Sequence, residues 1–169
     1  MALESTQHKR ENAGQAEQLL QMVSFRLGEE LFGVDILKVQ EINRLMEITK
    51  MPKVPDFVEG VINLRGRVIP IVDLRKRFHL PPVERNRETR IIVVDISGMM
   101  MGMIVDSVSE VLRLPASTIE PAPDITTSIE SQYIRGVAKL EKRLLIFLDL
   151  SKVFLDKEKT ELDQFTAEA

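Results

Sequence analysis

Short runs in which apolar and polar residues alternate, with no run holding a helical period for more than a turn or so, predict a chain built mainly of strands. Leu19 to Leu27 alternates in this way, Gly28-Glu29-Glu30 marks a reversal, and LFGVDI leads back, so the segment predicts a hairpin. Ile36, Val39 and Ile42 then recur at a spacing of three, with Lys38, Gln40, Glu41 and Asn43 between them. That spacing predicts a short helical turn with one apolar stripe. Residues 45–51 are expected to form a further strand, and Pro52 and Pro55 to hold the chain extended up to Phe57. The stretch GVINLRGRVIPIVDL, residues 60–74, is the clearest hairpin: β-branched residues flank a turn at Arg65 and Gly66. Pro70 has no N–H for a ladder, which predicts that its strand lies at a sheet edge or a bulge. Residues 75–78 fit one helical turn capped by Asp73, and HLPPVERNRET, residues 79–89, reads as a linker.

The second half repeats the first. Gly102, Val105, Val108, Glu110, Val111 and Leu114 stand 69 positions after Gly33, Ile36, Val39, Glu41, Ile42 and Leu45, and RLLIFLDLSKVF stands 76 after RVIPIVDLRKRF. The seven-residue difference fits an insertion in the loop PASTIEPAPDITTSIESQ, where small polar residues and prolines tolerate one. Two tandem copies follow, about 20–78 and 90–154. Their connections are too short or too rich in proline for parallel crossovers, which excludes a doubly wound sheet and predicts an all-β protein of two small five-stranded antiparallel barrels with minor helix. Each copy is too small to be stable alone, so the barrels are expected to pack together and leave a groove at their junction. Residues 1–18 are expected to be a disordered tail, and residues 156–169 a polar C-terminal tail.

Comparing the copies separates fold from function. Gly60 and Gly136, Leu64 and Leu140, Asp73 and Asp149, and Phe78 and Phe154 occur in both, so the fold accounts for them. Opposite Asn63, Arg65, Gly66 and Pro70 stand Lys139, Glu141, Lys142 and Ile146. The barrel does not require an arginine at the hairpin tip, which points to Arg65 as a binding residue.

Composition narrows the function. A net charge of −3 argues against a nucleic-acid binder, and the absence of cysteine removes disulfides and thiolate metal sites together. No secretory h-region or membrane-length apolar run is present, so a cytoplasmic home is expected. Of the two histidines, His8 falls in the tail and His79 in the linker; Gly98 and Gly102 lack phosphate-loop spacing. Asp35, Glu41, Asp73 and Asp106 are better explained as turn, cap and surface residues than as catalytic pairs, so no enzyme, metal or cofactor is expected. A module for proline-rich peptides is disfavoured, since such grooves are aromatic-lined and this chain has no tryptophan. The run Met99, Met100, Met101 and Met103 reads as strand packing.

The blocks VQEI (39–42), FVEGVINLRG (57–66), VIPIVDLR (68–75) and PAP (121–123), in this order and with the duplication, closely resemble the CheW family of bacterial chemotaxis coupling proteins. The likeness covers about 20–155 and implies a CheW-like domain over 19–155 with two SH3-like barrels. It further implies a scaffold without enzymatic activity that joins the cytoplasmic tips of chemoreceptors to the regulatory domain of the histidine kinase CheA in membrane-tethered arrays. By this resemblance Ile36, Val39 and Ile42 line a groove that receives the helical receptor tip, and Glu41 and Arg65 match positions linked to receptor or kinase coupling. The related CheV proteins add a phosphorylatable receiver domain; with about fifteen residues following the second barrel, that version is not expected here.

Overall fold

The computed structural model describes residues 18–121 and 129–154; the expected tails and part of the expected insertion lie outside the described residues. The chain runs through β1 (Leu19–Leu27), β2 (Glu30–Asp35), β3 (Val39–Arg44), β4 (Val58–Leu64), β5 (Arg67–Asp73), β6 (Arg90–Ile96), β7 (Met99–Val105), β8 (Ser107–Pro115), β9 (Ile119–Glu120), β10 (Ile134–Lys139) and β11 (Leu144–Leu148). They form two sheets, in the orders β8-β1-β2-β11-β10-β9 and β3-β6-β7-β5-β4. The fold is mainly β, as the alternation predicts.

The sheets do not follow the tandem copies. Strands β1 and β2 of the first copy join the sheet of the second, and β6 and β7 of the second join the sheet of the first. The boundaries 20–78 and 90–154 therefore delimit the repeats but not the barrels. One sheet draws on a continuous stretch and the other on both ends of it. Each sheet also contains a parallel pair, β2 with β11 and β5 with β7, where all-antiparallel barrels were expected. Neither pair uses a crossover helix: between β2 and β11 the chain passes through the other sheet, and between β5 and β7 it runs through a one-turn helix, the segment 79–89 and β6 of the same sheet.

Three local expectations are corrected. Ile36, Val39 and Ile42 do not share a helix: residues Ile36–Lys38 make one 3-10 turn, capped by Asp35, and Val39 and Ile42 belong to β3. The register against β6 shifts between Val39 and Glu41, with Val39 opposite Val94 and Ile42 opposite Ile92. This bulge adds one residue, so a spacing of three falls on one face of a strand and imitates a helical stripe. Val108 and Val111 repeat the pattern opposite Phe25 and Val23. Residues 45–51 form no strand, only a bridge from Thr49 to Val61. Finally, β5 is an interior strand, and Pro70 is tolerated because the ladder to β7 begins at Ile71, leaving Pro70 paired with β4 alone.

The shared glycines have a steric cause. A Cβ on Gly60 would lie 2.1 Å from the Thr49 carbonyl oxygen, and one on Gly136 2.4 Å from Ile119. Each lets an incoming segment touch the hairpin at a bulge.

Apolar packing occupies three places. Ile62, Ile69, Ile71, Ile91 and Val93 pack on one face of the five-stranded sheet, and Met22, Leu31, Leu145 and Phe147 on one face of the other. The largest cluster lies between the sheets and includes Phe25 and Phe32 from one with Val72, Ile92 and Val94 from the other. The junction is thus mostly a filled core. Met101 and Met103 are buried in it, consistent with strand packing. The one-turn helices Leu74–Arg77 and Leu150–Val153, capped by Asp73 and Asp149, face each other there, and Arg77 donates to the Val153 carbonyl at 2.8 Å. The guanidinium of Arg77 stacks over Phe57 and Tyr133, a cation–π pairing inside a buried site.

Asp106, between β7 and β8, fastens the sheets where the chain crosses over. It accepts from Arg75 Nη2 at 2.5 Å, from Arg75 Nε at 2.8 Å and from the Gly28 N–H at 2.7 Å. Burial pushes its carboxyl pKa up, but the bonds from Arg75 and Gly28 outweigh it and hold the value below the usual aspartate range. A depressed folded pKa contributes stability above the unfolded value, and that stability is lost as pH falls through the folded one. Asp106→Asn is therefore expected to destabilise the protein by about 2 kcal/mol at neutral pH. The gap from the parent should narrow as the pH is taken below about 4, the range in which an unperturbed aspartate protonates. Urea unfolding across pH checks this, and a gap that does not change with pH would contradict it.

Candidate functional site

Arg65 and Gly66 form the two-residue turn between β4 and β5, with φ of 51° and 82°. Two successive positive φ values define the turn type whose twist matches a hairpin. The Gly66 N–H donates to Asn63 Oδ1 at 2.9 Å and stiffens the tip. An arginine in left-handed backbone is held there against its own preference. The matching turn between β10 and β11 is flanked by the equivalent pair, Leu140 and Arg143, but holds no left-handed residue. Local geometry as well as residue type thus sets the Arg65 tip apart.

The structure brings Glu41 and Arg65 together. Arg65 Nη2 donates to Glu41 Oε2, and Asn43 Nδ2 donates to Glu41 Oε1 at 2.7 Å. Strands β3 and β4 are the opposite ends of the five-stranded sheet, so this pair spans the opening between its two edges. The Glu41 side chain is 24% exposed and that of Arg65 72%. The hydrogen bond from Arg65, then that from Asn43, holds the Glu41 carboxyl below the usual glutamate range, so it is ionised at neutral pH. Glu41 recurs in the second copy as Glu110, but the place of Arg65 there is taken by Glu141. The acid is duplicated and its partner is not.

The three apolar candidates are brought together only in part. Ile36 and Val39 are half-buried and pack on the inter-sheet cluster, whereas Ile42 is 40% exposed. The bulge puts Val39 and Ile42 on one face of β3 and Glu41 on the other, opposite Val93. An apolar rim and a charged seam therefore share one edge strand from opposite sides. The expectations missed Leu37, which is 82% exposed beside this rim, and Asn43, which orients Glu41. Comparison of the copies carries the signal for both, since their counterparts are Asp106 and Leu112.

A cavity of about 760 Å³ lies elsewhere, beneath residues 82–89. Its charges largely satisfy one another: Arg85 Nη2 lies 3.1 Å from Glu59 Oε2 and 3.3 Å from Asp73 Oδ2, and Lys76 Nζ 2.5 Å from Glu59 Oε1. None of the candidate site residues lines it.

Comparison with known proteins bears on this arrangement. The CheW-like domain family matches residues 21–158. A chemotaxis protein CheW from Klebsiella aerogenes is 40% identical over 139 residues, covering 82% of this chain and 84% of that protein. The chemotaxis protein CheW of Treponema pallidum is 35% identical over 155 residues, covering 89% and 91%. The crystal structure of the scaffolding protein TtCheW from Thermoanaerobacter tengcongensis superposes with a TM-score of 0.76 at 40% identity, covering 83% of this chain and 91% of that one.

The site geometry yields a direct test. Arg65→Ala should raise the Glu41 carboxyl pKa toward its ordinary value, as followed by carbon-detected NMR titration. Because glycine accepts a φ of 51° without strain, Arg65→Gly should melt above Arg65→Ala. A Glu41 titration unchanged by the substitution would show that the pair does not form in solution.

Proposed function

The chain belongs to the CheW-like family, and from that membership we propose that it is a non-enzymatic adaptor coupling the cytoplasmic tips of chemoreceptors to a CheA-type histidine kinase. The observation that carries this reading is the joining of Glu41 and Arg65 across the open seam of one sheet, beside the apolar rim of Ile36, Val39 and Ile42. An edge strand with exposed apolar residues on one side suits a helix recognised at i, i+3 and i+4 positions. The arginine fork at the tip supplies the kind of contact that dominates interfaces. The site is cytoplasmic in this reading and reaches the membrane only through receptor arrays. No helix among the described residues is long and apolar enough to cross a membrane.

The carboxylates support an adaptor over a hydrolase. Asp35 caps the 3-10 turn, Asp73 caps a helix, and Asp106 and Glu41 are ion-paired with lowered pKa values. A general acid needs the opposite shift.

Two substitutions test the reading in a reconstituted mixture of receptor fragment, kinase and this protein. Ile42→Asp places a charge on the exposed rim and should weaken receptor binding by about thirtyfold. Ile42 is the cleaner probe, because Val39 also packs on the core and Val39→Asp would lower stability as well. Arg65→Ala should move the thermal midpoint by no more than about 2 °C yet sharply reduce kinase activation, with Arg65→Lys restoring it only in part. Normal activation by folded Arg65→Ala would confine the coupling site to the apolar rim.

A further inference from the structure

The face of β3 that carries Val39 and Ile42 ends in Arg44, which lies directly opposite Arg90 on β6. Together with Arg87 these residues border a cleft of about 300 Å³ whose other lining residues are Leu45, Asn86 and Thr89. No carboxylate lines it, in a chain whose net charge is −3. Among the described residues neither Arg44 nor Arg87 has an acidic partner, and Arg90 spends its Nη1 on the carbonyls of Arg87 and Thr89, at 2.7 and 2.9 Å. Those bonds fix the guanidinium of Arg90 in place.

Like charges directly opposite each other on neighbouring strands destabilise a sheet. The fold does not require this pair, because the equivalent position in the other sheet sets Arg113 opposite Gln21. The arrangement is explained if an anion completes it. The backbone of the adjoining turn offers no nest for phosphate: the Asn86 N–H donates to Thr89 Oγ1 at 2.9 Å and the Glu88 N–H to Asn86 Oδ1 at 2.8 Å. What remains are planar guanidinium forks, which bind a carboxylate two bonds at a time and would have to hold a phosphate without those two backbone N–H groups. We infer that this cleft is a docking site for a protein segment bearing two or more carboxylates, continuous with the apolar face of β3. The inference stands on the arginine cluster itself and not on the identity of the receptor or the kinase.

The test uses the full chain alone, followed by NMR while a hexaglutamate peptide or inorganic pyrophosphate is added. The peptide should give saturable shifts centred on Arg44, Arg87 and Arg90 that weaken as salt is raised. The double variant Arg44→Gln/Arg87→Gln should fold normally, since both side chains are exposed, and should bind the peptide at least about tenfold more weakly. Shifts spread evenly over all exposed lysines and arginines, or an undiminished response in the double variant, would overturn the site. Saturation of the same resonances by pyrophosphate at lower concentration than by the peptide would overturn the carboxylate assignment.

Discussion

The exchange of hairpins between the two copies is the constraint on which the rest depends. Because β1 and β2 complete one sheet and β6 and β7 the other, neither copy can leave without breaking both sheets. Each exchanged hairpin places one face against its own sheet's apolar layer and the other in the shared cluster, as with Met22 and Phe25 of β1. Two units of roughly sixty residues, each too small to bury an adequate core, thereby share one. The crossover points then carry charge. The Arg75–Asp106–Gly28 network sits at one, and Arg77 binds the Val153 carbonyl where the two short helices meet.

The exchange also determines what is left exposed. It makes β3 the end of its sheet, so its outer edge is unpaired, and the bulge after Val39 turns the strand so that apolar and acidic side chains leave it on opposite faces. The hairpin tip supplies Arg65 from the other end of the same sheet. A seam thus forms where the sheet curls back on itself, closed by an ion pair that is half open to solvent. Surface ion pairs contribute little to stability, so folding does not account for an arginine in left-handed backbone at this place. Recognition does account for it, and the Arg65 tip is the physical core of the proposed adaptor role.

Much of this was legible in the sequence, for identifiable reasons. Period-two alternation and turn glycines located β1, β2, β4 and β5, the repeat pointed to counterparts in the second half, and Asp73 announced the helix it caps. The repeat singled out Arg65 because a duplicated fold shows what a barrel does not need. What was not legible is non-local. A bulge converts the strand period into the spacing of a helix, so Ile36, Val39 and Ile42 misled about local structure, although Val39 and Ile42 do share one face of β3. Pairing partners are not encoded in the periodicity of a strand, and so the exchange of hairpins and the parallel pairs were invisible. The meeting of Glu41 with Arg65 was equally hidden, since it depends on how the sheet closes on itself. Residues 45–51 failed as a strand because Thr49 alone reaches the hairpin, at the glycine that makes room for it.

If the hairpin exchange binds the two sheets into one unit, the protein must lose them together. Differential scanning calorimetry of the full chain, joined with native-state hydrogen exchange, measures this directly. The account predicts one transition with equal calorimetric and van't Hoff enthalpies, and the same opening free energy for amides of β1 and β2 as for those of β6 and β7. Two resolved transitions, or one sheet exchanging its core amides well before the other, would contradict it.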